Sequence, residues 1–176
     1  MDNILKGRVS WIFGDHFDVD LIVGIKNISA TEMNALLAEF MQSYDKGFKD
    51  SVKEGDFLVG GSNFGYGHPH PQAMMVMREL GINAIISESF AFPFYRSEVA
   101  SGMALITCPE VLKKVSRWDE LELYLEKGIL NNLSTGEKLV IDPVPPVALE
   151  IIDAGGIVNY LKALTLPIQE TTRNSE

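Results

Sequence analysis

Cysteine is nearly absent from this sequence: Cys108 is the single one in 176 residues. One thiol forms no internal disulfide and cannot by itself hold an iron–sulfur cluster or a structural zinc ion. A reducing compartment, the cytoplasm, is the expected location. Positive charge is scarce as well, with 15 Lys and Arg against 24 Asp and Glu and a formal net charge of −9. Such a chain has little with which to neutralise phosphates, which argues against a general nucleic-acid binder, and an anionic membrane surface would repel it. Long apolar runs are also missing. None approaches the roughly 20 residues that span a bilayer, and the opening MDNILKGRV does not have the form of a signal peptide.

What remains is the composition of a globular protein, 46% hydrophobic and 22% charged. A chain of this size buries roughly 70% of its unfolded surface, enough for a real core. We expect one domain over residues 1–168 and a frayed tail, QETTRNSE, over 169–176. No internal repeat or low-complexity segment interrupts it.

Residues 7–13 (GRVSWIF) alternate polar and apolar and predict a first strand. The acidic segment GDHFDVD (14–20) predicts a turn. Ser29 to Glu32 fits a capping box. Met33, Leu36, Leu37, Phe40, Met41 and Tyr44 then fall on one stripe, which predicts an amphipathic helix across all six. FLVG (57–60) predicts a buried strand, Gly60 to Gln72 a glycine-rich loop, Pro71 the first turn of a helix ended by Gly81, and AIIS (84–87) a second strand. Strand, loop, helix and strand make a βαβ unit with parallel strands. Further on, 89–102 is expected to be helical in its second part and 104–108 a strand. LSTGEKLVID (133–142) reads as a hairpin. Residues 146–164 read as two helical pieces broken at Gly155-Gly156.

The loop Gly60–Gln72 is the most informative segment. Glycines permit backbone shapes that expose N–H groups, and a helix N-terminus behind them favours an anion such as a carboxylate. Its spacing matches neither a Walker A nor a dinucleotide-binding fingerprint. It ends in His68-Pro69-His70-Pro71. Histidine suits proton transfer near neutral pH. Two at i, i+2 between prolines predict side chains pointing to opposite sides. Turn or capping roles, or a three-histidine metal site with His16, are the competing readings. Asp15, Asp18 and Asp20 could cap turns or bind a hard cation.

Four ordered segments carry a resemblance. GDHFDVDLI is similar to G-D-x-x-D-T-D-x-I. EGDFLVGGSNFGYG is similar to G-D-x-x-V-A-G-x-N-F-G-C-G. GINAIISESFAFPFYRSEVASG resembles G-I-x-A-V-I-A-x-S-F-A-x-I-F-Y-R-N-A-I-N-x-G, and DAGGIVNYL resembles A-A-G-G-L-V-N-Y-L. With these the chain resembles the small subunit of the isopropylmalate isomerase and homoaconitase group, the swivelling domain of the aconitase superfamily. The resemblance implies an α/β fold, a swivelling β/β/α domain. It implies a separate large subunit holding a [4Fe–4S] cluster, with no metal bound by this chain. It also implies dehydration and rehydration of a hydroxy-carboxylic acid.

The departures are as informative. Where the family has G-S-S-R-E, this chain has Gly67-His68-Pro69-His70-Pro71. His68 takes the place of the family's serine base, and His70 that of an arginine that helps hold a substrate carboxylate. The family's Tyr-Leu-Arg falls at Asn27-Ile28-Ser29, so a second arginine is missing and Lys26 is the nearest cation. Neither histidine nor lysine reproduces a bidentate guanidinium clamp. The residues expected to act are therefore His68 as base, with Asn63, Gly65, Tyr66, Gly67, His70, Lys26 and Arg96 around the substrate. The substrate is expected to be an altered hydroxy-dicarboxylic acid. Two alternatives stand beside this reading: an inactive regulatory or structural partner subunit, and a cluster-independent metal-binding protein. The methionine-rich helix also leaves room for homo-oligomers.

Overall fold

A computed structural model describes residues 4–170, with side chains to residue 165. Seven strands form one mixed sheet: β1 (Ile4–Ile12), β2 (Phe57–Gly60), β3 (Ala84–Ser87), β4 (Ala104–Thr107), β5 (Glu120–Tyr124), β6 (Ile129–Asn132) and β7 (Lys138–Val140). Their order across the sheet is β4-β3-β2-β1-β5-β6-β7. The β1–β2, β2–β3 and β3–β4 pairs are parallel. The β1–β5, β5–β6 and β6–β7 pairs are antiparallel. Strand β1 is therefore the seam between a parallel half and an antiparallel half.

Sequence explains the division. β2 and β3 are buried at every position and read as continuous apolar runs, as strands covered on both faces must. Alternate residues feed two cores. Leu58, Ile85 and Leu105 lie in register and point to one face. That face is covered by α1 (Met33–Glu39), α3 (Pro71–Glu79) and α4 (Phe92–Ala100). Phe57, Val59, Ala84, Ile86, Ala104 and Ile106 point to the other, under α5 (Val111–Lys114) and α6 (Pro146–Asp153). The remaining helices are α2 (Phe48–Ser51) and α7 (Ile157–Glu170). The expected βαβ unit and the break at Gly155-Gly156 are present, while the hairpin expected over 133–142 begins earlier, with β6 as its first strand and only the turn and β7 inside that segment. Helix α7 continues to Glu170, past the boundary expected at 168; residues 171–176 lie outside the described residues.

Three expectations need correction. Strand β1 begins at Ile4, before the alternating stretch, because Ile4 to Arg8 pair with β5. The capping box does not form. Glu32 is itself the N-cap and makes no side-chain cap bond, while Ser29 stays in the turn that follows the 3-10 segment Ile25–Asn27. The helix also stops at Glu39. Phe40 is extended, Met41 takes φ +61°, and the Met41 N–H donates to the Ile22 carbonyl at 2.8 Å. Phe40 and Met41 are buried through this turn and not along a helix face. The stripe marked burial correctly and secondary structure only in part.

Helix α4 bears directly on the glycine-rich loop. Gly65 has φ +79°, and a Cβ there would lie 2.2 Å from the Phe94 ring. Gly65→Ala should cost at least about 2 kcal/mol, from overpacking and from the left-handed backbone together. A shift of the denaturant midpoint measures it.

Cys108 is fully buried in the second core, and burial pushes its thiol from the ordinary 9.0 up to about 11. The thiol proton is retained in the folded chain where the unfolded chain releases it, so stability should fall as pH rises from 9.0 towards about 11. Alkylation by iodoacetamide at roughly pH 8 should reach Cys108 only after unfolding, as mass spectrometry would record.

Candidate active site

The loops that leave the carboxyl ends of β1, β2 and β3 converge, as they do where parallel strands form ligand crevices. The acidic turn 14–20 grips the glycine-rich loop at several points. The Asp15 carboxylate accepts the Ser62 N–H at 2.7 Å, and the His16 N–H donates to the Ser62 carbonyl at 2.7 Å. The Gly65 N–H donates to the Phe17 carbonyl at 3.0 Å. From the β3 side, the Phe64 N–H donates to the Ser89 carbonyl at 3.0 Å and the Asn63 N–H to the Ser89 hydroxyl at 2.8 Å. Beneath the loop, Phe13 and Phe17 stack with centroids 4.1 Å apart, and Phe64 meets Phe94 at 5.8 Å. The loop thus rests on an aromatic bed and is tied down on both sides.

Asp20 closes the grip. It sits in the 3-10 turn Val19–Ile22, where the Asp18 carboxylate caps its N–H at 3.0 Å. Its own carboxylate is buried and turns both oxygens onto one residue. Oδ1 accepts the His70 N–H at 2.8 Å, and Oδ2 lies 2.7 Å from His70 Nδ1. Turn chemistry and loop anchoring therefore occupy Asp15, Asp18 and Asp20.

The two loop histidines do not point apart. Residues two apart on an extended segment share a side, and their rings meet edge to face with centroids 5.6 Å apart while Asp20 holds His70 through Nδ1. They line a cleft of about 200 Å³ together with Pro69 and Pro71. Helix α4 supplies the facing wall through Pro93, Phe94, Ser97 and Glu98. Glu98 is buried and paired with Arg78 of α3, so both carboxylates next to the cleft, Asp20 and Glu98, have partners. His68 is exposed and makes no hydrogen bond among the described residues. The N–H groups of Tyr66, Gly67 and His68 are likewise unpaired there, and α3 begins behind them without a side-chain cap. Unpaired donors ahead of a helix start are suited to an anion.

The other expected site residues are spread more widely. Asn63 has φ +57° and its amide lies 3.1 Å from His16 Nδ1. The exposed Tyr66 ring meets His16 at 6.0 Å, and Gly67, at φ +97°, lies beside Asp18. The Gly65 N–H is already committed to Phe17 and is not free for a ligand. Lys26 pairs with Glu39 at 3.3 Å and does not line the cleft. Arg96 is exposed on α4, outside the cleft, where its neighbours Ser97 and Glu98 do face it. Sequence reading missed Asp20 as the partner of His70, and Glu98 with Arg78. Spacing could not show either pair, since 50 and 20 residues separate the partners.

A cluster has no home in this chain's donors. Among the described residues no group of three or more His, Cys, Asp and Glu is placed to hold a metal, and Cys108 lies buried in the second core. His16 is turned to Asn63 and His70 to Asp20, so the three histidines do not gather into a metal site.

Comparison with known proteins identifies the family. Residues 22–111 match the family described as Aconitase C-terminal domain. The isopropylmalate/citramalate isomerase small subunit of Methanocaldococcus jannaschii is 41% identical over 162 residues, 92% of this chain and 96% of that one. The 3-isopropylmalate dehydratase small subunit of Pyrobaculum islandicum is 38% identical over 160 residues, 91% of this chain and 98% of its own. The crystal structure of 3-isopropylmalate dehydratase from Methanocaldococcus jannaschii superposes with a TM-score of 0.83 at 32% identity, covering 96% of this chain and 99% of that one. The chain belongs to the Aconitase C-terminal domain family, among the small subunits of the isopropylmalate dehydratase group.

Proposed function

We propose that this chain is the small subunit of a two-subunit hydro-lyase that dehydrates and rehydrates a hydroxy-dicarboxylic acid. One observation carries the reading. The N–H groups of Tyr66, Gly67 and His68, unpaired among the described residues, stand beside a cleft whose described wall presents two histidines and no unpartnered carboxylate. An anion is welcome there, and a group able to take a proton stands next to it. The partner large subunit carries a [4Fe–4S] cluster that supplies a Lewis acid for the substrate hydroxyl.

This chain's own part is binding and proton transfer. The free N–H groups of 66–68 and the start of α3 hold one substrate carboxylate. His68, at the position of the family's base, removes the proton from the carbon beside it. The substrate differs from isopropylmalate, because the family's arginine clamps are gone. Arg78, which bonds a cleft residue, is engaged by Glu98. Without a planar fork, a second carboxylate is held by fewer and less directional donors. The acid is therefore an altered hydroxy-dicarboxylic acid, such as a malate with a substituent smaller than isopropyl. The cytoplasm is the proposed location.

The test begins with anaerobic co-purification of the chain with its large subunit. Hydroxy-dicarboxylic acids are then screened by the absorbance of the unsaturated product. A brown complex that dehydrates one of them is the expected result. A complex that forms and stays silent on every acid would instead make the chain a regulatory partner. In the active complex, His68→Ala should lower turnover on the order of 100-fold or more. Its circular dichroism and melting should match the parent, since the side chain is exposed and unbonded. Unchanged turnover would remove His68 from the base role.

A further inference from the structure

The chain's three histidines meet unequal surroundings. His16 Nδ1 faces the Asn63 amide at 3.1 Å. His68 has no hydrogen-bond partner among the described residues. His70 alone is oriented by a carboxylate, with Nδ1 2.7 Å from Asp20 Oδ2 and its backbone N–H 2.8 Å from Oδ1. Asp20 is in turn fixed, because it is buried and its N–H is capped by Asp18 at 3.0 Å. An ionised carboxylate only accepts hydrogen bonds, so Nδ1 carries the hydrogen. The reactive nitrogen of His70 is then Nε2, which no described residue engages. His70 lines the same cleft as His68. A cleft imidazole held through one nitrogen by a buried carboxylate, with the other nitrogen open, is built for proton transfer.

We propose that His70 is a second proton-transfer residue of this site and that Asp20 is its positioning residue. The assignment rests on the hydro-lyase function proposed above. In the dehydration direction His68 begins neutral and His70 protonated. The C–H bond breaks, its proton passes to His68, and its electron pair becomes the new carbon–carbon π bond. The C–O bond breaks with its electron pair on oxygen, and the leaving hydroxide takes the Nε2 proton of His70 and departs as water. The two imidazoles hold one proton between them before and after. They finish with roles exchanged, which is the state that rehydration needs. The close edge-to-face approach of the two rings, 5.6 Å between centroids, keeps both within reach of one small substrate.

The titratable and charged groups around His70 are Asp20 from the 3-10 turn, His68 from its own loop, and Glu98 of α4, which is tied to Arg78 of α3. Asp18 stands against Gly67 in the same loop. The pH dependence of the pair is therefore read against these neighbours.

Two measurements test the assignment. In the full chain alone, nitrogen-15 NMR of the neutral His70 ring should show the proton on Nδ1 and a bare Nε2. Asp20→Asn should weaken that preference, and a neutral His70 ring in the parent chain whose proton resides on Nε2 overturns the proposal. In the complex with the large subunit, kcat/KM should be bell-shaped in pH. His70→Gln should lower kcat on the order of 100-fold and remove the alkaline limb, and Asp20→Asn should lower it on the order of 10-fold or more and move that limb. Both variants are scored only after circular dichroism matches the parent. An active complex whose His70→Gln variant keeps both limbs and its kcat overturns the role of His70 and leaves the hydro-lyase function standing. A complex silent on every acid overturns both.

Discussion

The arrangement of this site depends on one buried carboxylate. An ionised side chain withdrawn from water must be partnered, and an unpartnered one costs several kcal/mol. Asp20 meets that demand with both oxygens on His70, one on the backbone and one on the ring. The bond crosses from the acidic turn after β1 to the loop after β2, so it sets where the second loop ends and where α3 begins. One long-range pair thus fixes the ring of His70 at the cleft.

The rest of the site follows from the same division of labour. The turn 14–20 consumes donors that the glycine-rich loop would otherwise expose: Ser62 on Asp15, Gly65 on Phe17 and His70 on Asp20. Among the described residues, what it leaves unpaired is the short stretch Tyr66 to His68. The aromatic bed of Phe13, Phe17, Phe64 and Phe94 supports that stretch from below, and Gly65 is tolerated against Phe94 only because it lacks a side chain. Rigidity below and unpaired donors above are what an anion site requires.

Much of this was legible in the residues, and the misses have a common cause. The βαβ unit at 57–87 could be read because its pattern is local: an apolar run, glycines, Pro71 at a first turn, Gly81 at its end and a second apolar run. The burial of Phe40 and Met41 was legible too, from the stripe they share with Met33 and Leu36. Their helix was not, since the bond from Met41 to Ile22 is tertiary and replaces helical hydrogen bonding. The anchoring of His70 was missed in the same way. Residues two apart on an extended segment share a side, so the local pattern itself brings the rings of His68 and His70 together, and what it could not show is the carboxylate 50 residues away that holds His70. Lys26 was singled out as the cation nearest in sequence to the missing arginine, but it faces Glu39. Local pattern found the elements, and long-range polar pairs chose the directions of the side chains.

The exchange of the family's serine and arginine for two histidines changes the kind of chemistry that the loop can do. An arginine holds carboxylates in a fixed planar fork and stays charged at every working pH. A histidine offers one directional bond and can lose its charge. Pro69 and Pro71 carry no N–H and the His70 N–H is held by Asp20, so the loop donors left open among the described residues are those of 66–68. In the proposed function, anion binding therefore rests on the backbone in place of a side-chain clamp, and proton handling on a pair of imidazoles. A backbone site recognises charge and little else, so selection among acids falls to the walls. Those walls are Pro69, Pro71, Pro93 and Phe94, stiff and apolar, around a space of about 200 Å³. Under the proposed function, such walls favour an acid with a small apolar substituent over one with a long substituent.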